Sequence, residues 1–223
     1  MGIILAAGLS GCVTAPQSCV REGEVSGLPY YLFTVPTKNS NERLPLILAL
    51  HGAGGTGEQY LELWKKEAAK RRIMVVAPTM AYSYRKDRES LQGFYQLVEE
   101  ISAHYPVDRD RIFLAGSSAG ALIGGWVIEQ DPSFWRGAIL INSPGFQPRE
   151  KSIQGPSFPR FLFVHGEKDK AFPVSRIREH AKSLREGGLE VTVLTDPTAG
   201  HEHKPEWNEK IFDWIEAHYS TIR

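Results

Sequence analysis

Six short apolar runs, Leu46–Leu50, Ile73–Ala77, Ile112–Ala115, Ala138–Ile141, Phe161–Val164 and Val191–Leu194, constrain most strongly what this chain can fold into. Each is too short for a helix, and most are rich in branched side chains, the signature of strands covered on both faces. Between the runs the apolar period changes. Phe94, Leu97, Val98 and Ile101 stand at i, i+3, i+4 and i+7, and Ile211, Trp214, Ile215 and Tyr219 follow the same rule less strictly. Segments 57–71, 119–130 and 175–186 also read as helices. Alternation of this kind predicts an α/β fold, with a mostly parallel central sheet and helices on both faces. Ligands of such sheets bind at the carboxyl ends of the strands. A further strand is expected over 28–35, closed by Pro36 and a polar turn at 37–43.

The 223 residues suffice for one domain with a real core. Lys and Arg balance Asp and Glu at 26 each, which argues against a nucleic-acid partner, since that would need a basic face. Lys65-Lys66 and Lys70-Arg71-Arg72 are expected to form a solvated helix face and partners of a helix C-terminus; a membrane-surface role is the alternative. No apolar run approaches the roughly 20 residues of a spanning helix. Met1 to Ala7 is nearly all apolar and leads into Leu9-Ser10-Gly11-Cys12. That pattern resembles a bacterial lipoprotein signal, in which Cys12 would be lipidated and would attach the chain to a membrane. An unstructured or strand-forming N-terminus is the alternative. On the lipoprotein reading, 1–12 is the signal, 13–24 a tether and 25–223 the folded domain. Cys19 is then an unpaired thiol; otherwise it could pair with Cys12.

The run Ile112–Ala115 passes directly into Gly116-Ser117-Ser118-Ala119-Gly120. This is G-x-S-x-G after a strand and before a helix. A nucleophilic serine on so tight a turn needs glycine two residues to either side, and the helix that follows aims its free N–H groups at a developing oxyanion. Ser118 is therefore the candidate nucleophile; Ser117 would spoil the glycine spacing. Leu46–Leu50 ends in His51-Gly52-Ala53-Gly54-Gly55-Thr56-Gly57, whose backbone can approach a substrate carbonyl. The N–H groups of Ala53 and Ala119 are the expected oxyanion donors. A phosphate-binding turn is the rival reading of this loop, but it lacks the nucleotide-binding patterns. His51 is expected to order the loop.

Two later strands end in His165-Gly166-Glu167-Lys168-Asp169 and Ala199-Gly200-His201-Glu202-His203. The chain order Ser118, Asp169, His201 suits a triad in which His201 takes the serine proton and Asp169 orients the imidazole. Glu167 is the alternative acid and His203 the alternative base. A metal at His201 and His203 would lack a third ligand. His104, His165, His180 and His218 read as structural or surface residues.

Together these motifs, with Pro173 after the acid, resemble the polyhydroxybutyrate depolymerase and feruloyl esterase branch of the α/β-hydrolases over about residues 28–219. The resemblance implies the α/β-hydrolase fold and a serine esterase without a cofactor. It also implies action outside the cytoplasm on hydroxyalkanoate polyesters or on acyl groups carried by polysaccharide. A peptidase or amidase with the same machinery, or a non-catalytic carbohydrate-binding lipoprotein, are the alternatives. Two loops are expected to touch substrate: Met80, Tyr82, Tyr84 and Arg85 after the second run, and Ser143 through Phe146 to about Phe158 after the fourth. Neither has the length of a large cap domain, so an open site is expected.

Overall fold

The structure is a computed structural model that describes residues 18–81, 88–145 and 159–219. Its eight strands are β1 (Cys19–Val25), β2 (Leu28–Thr34), β3 (Leu44–Leu50), β4 (Met74–Pro78), β5 (Val107–Ser117), β6 (Gly137–Ile141), β7 (Arg160–Gly166) and β8 (Val191–Asp196). Among the described residues the helices are α1 (Gly57–Arg71), α2 (Arg88–His104), α3 (Ala119–Gln130), α4 (Val174–Glu186) and α5 (Asn208–Ala217). One sheet holds all eight strands in the order β1-β2-β4-β3-β5-β6-β7-β8. The pairs β1–β2 and β2–β4 are antiparallel, and every other pair is parallel.

Strands β3, β4 and β6 are buried at every position, which is why they appear in the sequence as unbroken apolar runs. From β3 the chain crosses through α1 to β4; from β5 it crosses the opposite way through α3 to β6. Right-handed crossovers therefore place α1 and α3 on opposite faces. Helix α5 packs on the α1 face, where Arg71 pairs with Asp213 at 2.6 Å and with Glu216. Arg71 thus joins two helices, and Arg72 pairs with Glu42 at 2.6 Å; both stand at the C-terminus of α1, as the sequence led one to expect, but each is ion-paired rather than simply solvated. Among the described residues no helix is inserted between β6 and β7 as a cap. The reversal of winding between β3 and β5 opens a crevice at their carboxyl ends, the place where sheets of this kind bind ligands.

Helix α1 starts where the sequence supplies a cap: the Thr56 hydroxyl accepts the Gln59 N–H at 3.2 Å. It ends on Arg72 in the left-handed region, where the Ile73 N–H reaches the Ala68 carbonyl at 3.0 Å.

The N-terminal edge departs from expectation. Residues 19–24, read as part of a tether, belong to β1, which forms a hairpin with β2 in the register Val25↔Leu28. The connecting Ser26 and Gly27 both have positive φ (51° and 74°), the conformation that closes a two-residue hairpin. The strand was hidden because Cys19-Val20-Arg21-Glu22-Gly23-Glu24-Val25 has charged residues on an open edge and no apolar run. Such charges also discourage edge-to-edge pairing between molecules. Likewise β5 begins at Val107, five residues before its apolar part.

Candidate active site

Strand β5 delivers Ser118 to the turn into α3, with φ 52° and ψ −115°. A non-glycine residue held there costs about 1–3 kcal/mol, so the surrounding structure must impose it. The Ser118 N–H donates to the Ile141 carbonyl at 2.9 Å, and its carbonyl accepts the Leu122 N–H at 3.1 Å. The flanking glycines have a steric cause. A Cβ on Gly116 would strike the backbone of Gly120, and one on Gly120 would strike the carbonyl oxygens of Leu50 and His51. Backbone packs on backbone where β3, β5 and α3 meet, and any side chain would separate them.

His201 arrives from the loop after β8. Its Nε2 lies 2.8 Å from the Ser118 hydroxyl, and its Nδ1 lies 2.7 Å from Asp169 Oδ2. The other carboxylate oxygen accepts the N–H groups of Ala171 at 2.8 Å and Phe172 at 2.9 Å. Asp169 is fully buried, while the His201 side chain is 33% exposed. Burial alone would raise the Asp169 pKa, but the Phe172 amide, His201 and the Ala171 amide outweigh it and hold the carboxyl below its ordinary range. The acid is thus kept as an anion with its charge directed at one imidazole. Asp169 and His201 come together because their loops touch: Lys168 N–H donates to the Ala199 carbonyl at 2.8 Å. A Cβ on Gly166 would collide with the carbonyls of Ala199 and Gly200.

The alternatives weighed in the sequence occupy other places. Glu167 accepts from Arg178 at 2.6 Å and from Thr195 at 2.8 Å. His203 holds Asn208 Oδ1 at 2.8 Å and lies against Tyr60, Trp64 and Trp207. Burial pushes its pKa down to about 4, only partly countered by Asn208, so it is neutral at pH 7. His51 is buried; its Nδ1 donates to the Gly52 carbonyl at 2.7 Å, and its Nε2 accepts the Met80 N–H at 2.9 Å. That fixes its tautomer and ties the glycine-rich loop to the loop after β4. Ala53 and Ala119 line one recess beside Ser118. Tyr82, Tyr84, Arg85, Phe146 and Cys12 lie outside the described residues. Among the described residues Cys19 is a free cysteine, and no cluster of three or more His, Cys, Asp or Glu could hold a metal ion.

One residue escaped the sequence reading. Asn142, just after β6, is buried with φ 52°. Its side-chain oxygen accepts the Gly166 N–H at 3.2 Å, and its amide nitrogen donates to the Glu202 carbonyl. It therefore joins the two loops that carry Asp169 and His201. His165, expected to be structural or on the surface, is buried in a structural place; its Nε2 donates to the Phe172 carbonyl at 2.6 Å and lies 3.5 Å from Asp169 Oδ2. Burial lowers its pKa, which keeps it neutral under the carboxylate. An Asn directly after a buried strand was the one available signal for Asn142.

No protein-family model matches the chain, and no curated protein matches it in sequence. Solved structures do. S-formylglutathione hydrolase (FrmB) from Staphylococcus aureus superposes with a TM-score of 0.72 at 13% identity, over 94% of this chain and 100% of that one. One of two fungal esterases from Rhizomucor miehei gives 0.72 at 15%, over 91% and 83%. The chain has the α/β-hydrolase fold. Protein TT1662 from Thermus thermophilus shares the fold too, with 0.66 at 20% identity over 92% and 99%. Within the α/β-hydrolase fold the serine turn after β5, the acid loop after β7 and the histidine loop after β8 occupy one rim of the sheet.

Proposed function

We propose that the protein is a serine esterase that hydrolyses carboxylic esters through an acyl-enzyme. The observation that carries this reading is the unbroken hydrogen-bonded row Ser118–His201–Asp169, with its 2.8 and 2.7 Å contacts. His201 Nε2 takes the hydroxyl proton as Ser118 Oγ bonds to the ester carbonyl carbon. The carbonyl oxygen becomes an oxyanion held by the N–H groups of Ala53 and Ala119, each worth about 3 kcal/mol in such sites. Asp169 stabilises the imidazolium that forms. As the tetrahedral centre collapses, the imidazolium gives its proton to the departing alkoxide, leaving an acyl-serine and a free alcohol. Water then attacks the acyl carbon with His201 again as base, releasing the acid and restoring Ser118.

The likeness to structures named as esterases and hydrolases supports the same reading. The signal-like 1–12 segment favours a site of action outside the cytoplasm, with attachment through a lipid on Cys12. Polysaccharide-borne acyl groups or hydroxyalkanoate polyesters are the proposed substrates, and the triad motifs and their family resemblance support that choice.

A fluorophosphonate probe should modify Ser118 covalently, and p-nitrophenyl acetate should be turned over. Ser118→Ala should lose both. A protein that neither labels nor hydrolyses the aryl ester is a binder rather than an esterase. Faster turnover of an anilide than of the matched ester would favour the peptidase or amidase reading.

A further inference from the structure

Residues 167–173 join β7 to α4 with neither helix nor strand, so the shape of this segment depends on the few bonds it makes. Within it Phe172 touches both the acid and the base. Its N–H donates to Asp169 Oδ1 at 2.9 Å, and its carbonyl accepts the Nε2–H of His165 at 2.6 Å. Its ring lies beside the His201 imidazole, with centroids 5.8 Å apart and planes tilted by 35°, within the range of favourable aromatic pairs. The same Nε2 of His165 is 3.5 Å from Asp169 Oδ2, the oxygen that faces His201 Nδ1. With the proton on Nε2, the Nδ1 of His165 is an acceptor; it is buried and has no hydrogen-bond partner among the described residues. An unmet buried acceptor is a cost that a leucine of similar bulk would avoid. What only the imidazole supplies here is the Nε2–H.

We infer that His165 is a positioning residue for the acid–base pair and acts through Phe172: its N–H fixes the Phe172 peptide, which orients the Asp169 carboxylate and sets the ring beside His201. This assignment rests on the esterase reading and deepens it. Peptide and ring belong to one residue, so a turn of the Phe172 peptide would withdraw its N–H from Oδ1 and shift its ring together. The carboxylate could then rotate about Cβ–Cγ and carry Oδ2 off the line to His201 Nδ1. His201 would be weakened as the base that takes the Ser118 proton and as the acid that returns it. The expected oxyanion donors, Ala53 and Ala119, stand on other elements and would be untouched. The damage therefore depends on the leaving group. A p-nitrophenolate departs without a proton, whereas an alkoxide must take one from the imidazolium.

The test uses the full chain, with kcat/KM expressed per serine labelled by a fluorophosphonate, so that unfolded protein does not count. His165→Leu should lower kcat/KM about tenfold on p-nitrophenyl acetate and about 10²-fold on ethyl acetate, the scale of a small misplacement of reacting groups. His165→Gln, whose amide can present an N–H in the place of Nε2, should recover most of both losses. Phe172→Leu keeps the peptide and removes the ring. It should show the same bias against ethyl acetate in smaller degree, and it carries the test should His165→Leu fail to fold. In the double variant the losses should be less than multiplicative, because both changes act on one segment. Full activity in His165→Leu, equal losses on the two esters, no recovery in His165→Gln, or fully multiplicative losses would each overturn the assignment. Those failures would occur in a protein whose unaltered chain hydrolyses p-nitrophenyl acetate; absence of that turnover would sink the esterase reading itself.

Discussion

The side-chain amide of Asn142 donates to the backbone carbonyl of Glu202, the residue that follows His201. The same side chain accepts the N–H of Gly166 on the acid loop, so one buried residue holds both loops at the rim. Asn142→Gly keeps the backbone conformation and loses the amide. Asn142→Ala loses the amide but retains the Cβ at φ 52° that the Gly variant removes. Both variants should lose about 10²-fold in kcat, the scale of a 1 Å misplacement of reacting groups. KM should move little. The Ala variant should be the less stable by about 1 kcal/mol. Steady-state kinetics and thermal unfolding of the pair check this; full activity in Asn142→Gly would remove Asn142 from any positioning role.

Ser118 itself should be a stability cost. Its φ of 52° belongs to the region that L side chains avoid. Ser118→Gly relieves the Cβ strain, and Ser118→Ala retains it, while both lose the hydrogen bond to His201. The Gly variant should therefore melt higher than the Ala variant by an amount worth about 1 kcal/mol or more, with both inactive. Equal Tm values would mean that the turn stores no strain at this residue.

Asp169 accepts from the Nδ1 of His201 and from two backbone amides. Asp169→Asn preserves the shape but presents a neutral amide to the imidazole, favouring the wrong tautomer and leaving the imidazolium unsupported. The expected result is a fall in kcat of roughly 10⁴-fold with little change in KM. A loss below tenfold on p-nitrophenyl acetate would point to a different acid.

Acid sensitivity should centre on His203. Its folded-state pKa is pushed down to about 4, first by burial, against an ordinary 6.5. Between those values the unfolded chain binds a proton that the folded chain refuses. Stability from this group is thus complete above about pH 6.5 and drains away as pH falls toward 4. At about 1.4 kcal/mol per unit the loss is on the order of 3 kcal/mol. Tm measured from pH 7 down to pH 4 should fall, and His203→Phe should flatten much of that slope. An undiminished slope in the variant would assign the loss to other groups.

Local sequence made a good part of this molecule legible. Helices over 57–71 and 119–130 were bounded correctly from period and punctuation, since Thr56 caps the first and Ser118 opens the second. The apolar runs located the strands because strands buried on both faces carry no polar alternation. The hairpin strand β1 was not legible: an edge strand has one covered flank, and its charges look like those of a tether.

By itself the sequence determined the kind of sheet, the serine turn with its obligatory glycines, and the chain order of serine, acid and histidine. Those are properties of neighbouring residues, where sterics and periodicity act over a few positions. Tertiary structure decided the rest. It set His201 rather than His203 against Ser118, gave Asp169 rather than Glu167 the buried place beside an imidazole, and made Asn142 the link between loops 24 and 60 residues away. In the first two cases two chemically similar side chains lie within a few residues of one another. Burial and hydrogen-bond partners distinguish them, and both are supplied by segments distant in the chain.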